Sequence, residues 1–168
     1  YKKPTTVLFI IAVIFIFLYK FEIKIESRQS SFFVGNEIEK IKATQDTEVQ
    51  EKLYLDLISR VGAEKAQEEL YRSGLPFTGT THLLNHIVGD YLYEKFGPKG
   101  LLQCKDYFLS SCYHGFILHA ISDGGMAEVA KTFDECRKSG PTVYQQCAHG
   151  MGHGFLANVG YKNLIEAL

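Results

Sequence analysis

The chain has 168 residues, with 18 basic and 19 acidic side chains, a formal net charge of −1 and 46% hydrophobic residues. That is room for one compact domain plus a segment of another kind, and the balanced charge, without a basic cluster interleaved with aromatics, argues against a nucleic-acid partner. Tryptophan is absent, and the ten tyrosines and twelve phenylalanines read most simply as core.

Residues 1–21 read as a membrane anchor. Lys2 and Lys3 precede the uncharged run VLFIIAVIFIFLY, Val7 to Tyr19, which Lys20 closes. Counted from Thr5 the run is fifteen residues, short of the roughly 20 that cross a bilayer core. Lys20 can snorkel, however, and Phe21, Ile23 and Ile25 continue the apolar character. A cleaved signal peptide has the same layout, but no small-residue A-x-A pattern follows. The expectation is an uncleaved transmembrane signal-anchor helix, with a non-spanning arm or a core helix as the alternatives. Residues 22–45 mix apolar and charged side chains and pass through Ser30, Ser31, Gly35 and Asn36, which reads as a stalk with weak structure of its own.

Residues 46–168 read as an all-α domain. Asp46 and Thr47 are cap candidates for a helix ending at Gly62, a second helix ends at Gly74, and a third has threonine caps and closes at Gly97-Pro98. KGLLQCKDYF, LSSCYHGFILHAISDGG, MAEVAKTFDECRKSGP and TVYQQCAHGMGHGFLANVG follow, and none alternates like a strand. The closing NLIEAL carries no stop signal, leaving room for a further unit after Leu168.

A repeat runs through these helices. Cys112, His114 and Gly115 recur as Cys147, His149 and Gly150, each 35 positions on. His82 and His86 match the spacing of His149 and His153 at an offset of 67, with Thr80 in the cysteine position. Three related helices, each preceded by a partner, predict stacked α-hairpins or a compact bundle.

Cys104, Cys112, Cys136 and Cys147 form an even set behind an export-type segment, which points to two disulfides and a domain outside the cytoplasm. Eight residues of unbroken helix would hold Cys104 and Cys112 about 12 Å apart, against the roughly 4.4 to 6.8 Å a disulfide needs, so a bond requires an intervening turn. Cys104 with Cys112 and Cys136 with Cys147 fit such a staple. The other two connectivities stay open, as does metal ligation by the thiols.

Pairs four apart leave one face of a helix, so His82 with His86, and His149 with His153, can each share a cation, and His114 stands at the repeat position of His149. His119, about 140° around the helix from His114, reads as structural. Imidazole is a short ligand, so rings from different helices meet only where backbones approach closely, and Gly89, Gly115, Gly150 and Gly152 are the spacers that permit it. Tight packing without a metal, or a glycine-rich loop over 147–154, would account for the same glycines. Asp90 extends the His82 and His86 line, and Asp90, Tyr113 and Tyr144 are the expected supporting groups behind the ligands. An all-imidazole set in an oxidising compartment favours copper or zinc, with bis-histidine haem b as a minor alternative.

Three functions compete: a membrane-anchored extracytoplasmic metal protein, serving as a carrier or as an accessory subunit with protein partners in a membrane complex; a metalloenzyme using the same histidines; and a disulfide-stapled interaction module without metal. H-E-x-x-H, G-x-S-x-G, the P-loop and G-x-G-x-x-G are all missing from the sequence.

Overall fold

The computed structural model describes residues 4–159. These form α1 (Pro4–Ala43), α2 (Thr47–Val61), α3 (Ala63–Arg72), α4 (Gly79–Phe96), a 3-10 helix (Gly97–Gln103), α5 (Ser111–Lys138) and α6 (Pro141–Val159), with no strand among the described residues. Local chemistry sets the boundaries. The Asp46 carboxylate accepts from the Val49 backbone N–H at 3.1 Å and starts α2, and Gly62, at φ 86°, ends it. Thr78 and Thr81 cap one another reciprocally at the start of α4. The Gly124-Gly125 pair interrupts α5, with Gly125 at φ 60° and ψ −148°, so the Cys136 half turns away from the His114 half.

α5 lies between α4 and α6 and packs on both, while α2 bridges α1 and α4. The core takes Tyr54, Leu57 and Ile58 from α2, Leu84, Val88 and Leu92 from α4, and Phe116, Ile117 and Ala120 from α5, each no more than 1% exposed. Burial of side chains this size stabilises the fold by about 1.5 to 3 kcal/mol apiece. Glycines bring the helix backbones together. A Cβ on Gly89 would run into the Cys112 carbonyl oxygen and the Phe116 nitrogen, and one on Gly115 would run into the His86 carbonyl oxygen. Across the next interface a Cβ on Gly150 would stand 2.9 Å from the Tyr113 Cβ, and one on Gly154 2.7 Å from the Ile117 Cγ2.

Two expectations change here. Residues 22–43 are not a loose stalk: they continue α1, and its last turns bury Ile38 and Ile41 in the core. Their mixed pattern hid a helix because, among the described side chains of α1, burial is confined to those last turns. Among the described residues no helix is long and apolar enough to cross a membrane, so a transmembrane anchor over 1–21 lacks support. The uncharged run from Thr5 to Tyr19 is fifteen residues before Lys20 intervenes, short of the roughly 20 a crossing requires. Residues 1–3 of that segment, and 160–168 of the helical domain, lie outside the described residues.

Candidate metal centre

Both staples form: Cys104 bonds Cys112 with Cα atoms 5.5 Å apart, and Cys136 bonds Cys147 at 6.3 Å. The first closes a loop whose central residues, Phe108, Leu109 and Ser110, all adopt left-handed backbone at φ 51°, 57° and 56°. Each such non-glycine residue costs about 1 to 2 kcal/mol. Several contacts offset this. Ser110 Oγ donates to Asp106 Oδ1 at 2.5 Å, Tyr107 stacks on Tyr71 at 4.2 Å, and Phe108 stacks on Phe77 at 6.5 Å. Buried Gln67 holds the loop's entry, donating to the Gln103 carbonyl at 3.1 Å and accepting from the Lys105 N–H at 3.0 Å.

The turn aims the Phe108 carbonyl at His82, whose Nδ1 lies 2.8 Å from it. A carbonyl only accepts, so Nδ1 carries the proton and the His82 Nε2 is left with a bare lone pair. Onto that lone pair converge the His86 Nε2 at 3.0 Å and the His114 Nδ1 at 3.4 Å. One lone pair accepts one good hydrogen bond, so three ring nitrogens in this cluster are not all satisfied by protons. An ion bound tetrahedrally at about 2.0 to 2.1 Å spaces its nitrogen donors about 3.3 Å apart, which the observed separations bracket. The ring centroids agree: 4.7 Å for His82 and His86, 5.2 Å for His82 and His114, 5.5 Å for His86 and His114.

α6 supplies the remaining rings. It is a helix through the whole glycine-rich stretch, so the loop alternative for 147–154 falls away. His149 and His153 lie 5.3 and 4.3 Å from the His114 ring, centroid to centroid. The ligand atoms therefore form two sets, His82 with His86 and His114, and His114 with His149 and His153, each mutually within 4.8 Å. His114 is buried, His82 and His86 are half-buried, and His149 and His153 are exposed. Burial, followed by the charges of His82 and His153, holds the His86 imidazole down at about 4. Burial, then His153, His86, His82 and His149, holds His114 at about 3. Both rings are thus neutral, the form that ligates, at neutral pH.

The expected supporting groups lie elsewhere. The contact the structure gives Asp90 is with His119 Nδ1 at 3.5 Å, beside a cleft of about 290 Å³ lined also by Glu48, Leu55 and Tyr91. One more helical turn carries Asp90 past the point where α5 delivers His114. Tyr113 donates its hydroxyl toward the Cys104 carbonyl at 3.2 Å and Gln146 Oε1 at 3.1 Å, bracing the first staple, and burial pushes that hydroxyl up to about 12. Tyr144 packs on Phe133 at 5.1 Å. Of the expected spacers, Gly152 spaces no helix, since a Cβ there would have nothing within 4 Å of it. The group that does orient a ring of the cluster, the Phe108 carbonyl on His82, is a backbone atom with no sequence signature. No protein-family model matches this chain, and no curated protein or solved structure matches it.

Proposed function

We propose that this chain binds a transition-metal ion, copper or zinc, on a multi-histidine site made by His82, His86 and His114 and extended by His149 and His153. The observation that carries this reading is the fixed lone pair of His82 Nε2 with two further ring nitrogens 3.0 and 3.4 Å from it. A divalent cation satisfies all three at once. Three rings converging from two helices favour a bare ion over haem, which takes opposed imidazoles across a macrocycle. Metal analysis of the purified, dialysed protein should find at least one equivalent per chain, lost in His82→Ala with His86→Ala. Metal-free protein that stays empty after zinc or copper is added would overturn the reading in favour of the interaction module.

The cellular setting follows from two supports. Both cysteine pairs are disulfides, the form that persists outside the cytoplasm. The apolar side chains of α1 from Ile10 to Tyr19 stay exposed, with Phe15 at 69% and Phe17 at 71%, a patch that wants lipid or an apolar partner subunit. The site thus belongs to a membrane-attached extracytoplasmic protein, an accessory subunit or metal carrier built as hairpins stacked through α4, α5 and α6. The exposure of His149 and His153 favours a second reading, a metalloenzyme. Solvent reaches the cluster there, and an ion with three protein ligands keeps a position for a reactive water.

A further inference from the structure

The two histidine sets share one member, His114, and reach it from opposite sides of the chain's packing order. His82 and His86 come from α4, His149 and His153 from α6, and α5 carries His114 between them. Its Nδ1 faces the α4 set, 3.4 Å from His82 Nε2. Its Nε2 is buried and, among the described residues, has no hydrogen-bond partner. A buried ring nitrogen left bare costs about 1 to 3 kcal/mol, so this one calls for an occupant. The α6 rings offer the means: their ligand atoms lie within 4.8 Å of a His114 nitrogen and of one another. Because His149 and His153 are exposed, turning their rings onto an ion disturbs no core packing.

Resting on the metal-binding reading above, we infer that His114 bridges two ions, one held at its Nδ1 with His82 and His86 and the other at its Nε2 with His149 and His153. A neutral imidazole has one free lone pair, so binding the second ion releases the ring's N–H proton to solvent and leaves a bridging imidazolate. Two metal-nitrogen bonds of about 2.0 Å plus the width of the ring place the ions about 6 Å apart. The site is then dinuclear, with three-histidine coordination at the α4 end and a more solvent-open ion at the α6 end.

Titrating the intact metal-free chain with copper(II) tests this. The expected result is two equivalents bound. The electron paramagnetic resonance intensity should rise over the first equivalent and fall well below two spins at the second, because an imidazolate couples the two centres. His149→Ala with His153→Ala, both at exposed positions, should bind one equivalent and keep its full one-spin signal. A single equivalent in the unaltered chain, two equivalents with undiminished two-spin intensity, or two equivalents surviving in the double variant would each overturn the bridge while leaving a mononuclear site intact. No copper bound at all would overturn the metal reading itself and the bridge with it.

Discussion

Gly115 and Gly152 lie on two of the histidine helices and act differently. A methyl group on Gly115 would enter the His86 carbonyl and push α4 from α5, whereas on Gly152 it would meet nothing. Gly115→Ala should therefore destabilise the fold by about 1 to 3 kcal/mol and weaken metal binding, while Gly152→Ala should stabilise α6 by up to about 1 kcal/mol. Urea denaturation of both variants checks this. The histidines add a pH dependence. His86 and His114 are held at about 4 and about 3 when folded, below the unfolded value of about 6.5. The unfolded chain thus takes up more protons, so their contribution is complete above about pH 6.5 and drains away as pH falls toward 4 and then 3. Metal-free protein should melt progressively lower from pH 7 to pH 4, and a flat profile would contradict the burial of these rings. At this scale the gathering of the histidine rings was legible, because i, i+4 spacing and a repeat place rings on faces. Asp90 and the Phe108 carbonyl were not, since which residue stands behind a ligand depends on how the neighbouring helix and turn arrive.

The left-handed turn at 108–110 and its staple operate as an element. Gln67 fixes the loop's start, the Cys104–Cys112 bond fixes its end, and the turn between them delivers a carbonyl to His82. Replacing Cys104 and Cys112 by serine should remove about 2 to 3 kcal/mol of stability for a loop of this length. Because the turn also loses its frame, metal affinity should fall about 10- to 100-fold, the usual consequence of losing a ligand's supporting contact. Competition with a chromophoric chelator measures the second effect, and unchanged affinity would show that the turn holds His82 without the bond. Helix ends and both staples could be read from Asp46, Gly62, Thr78 and the cysteine spacings. The double glycine likewise marked the break in α5. The left-handed turn could not be read, because Phe108, Leu109 and Ser110 carry no preference for that backbone and adopt it under tertiary constraint.

For the whole molecule, the described part of α1 contrasts with the rest: its apolar side chains face outward, and only Ile38 and Ile41 near its end join the core. The intact chain should float with phospholipid vesicles, and Phe15→Lys with Phe17→Lys should reduce that association at least several-fold without altering metal content, as flotation and metal analysis on the same samples would show. The histidine cluster draws on α4, α5 and α6 together, although among the described residues α4 and α6 share no extensive interface. The Cys136–Cys147 bond gives this arrangement a temporal consequence. It pins the start of α6 to α5, and His153 lies six residues beyond Cys147, about 9 Å along the helix. Detachment of α6 is thereby reduced to a pivot about a covalent hinge that recloses quickly. Every opening that parts His149 and His153 from His114 therefore leaves them tethered, and their return is an intramolecular step whose rate does not depend on how dilute the protein is.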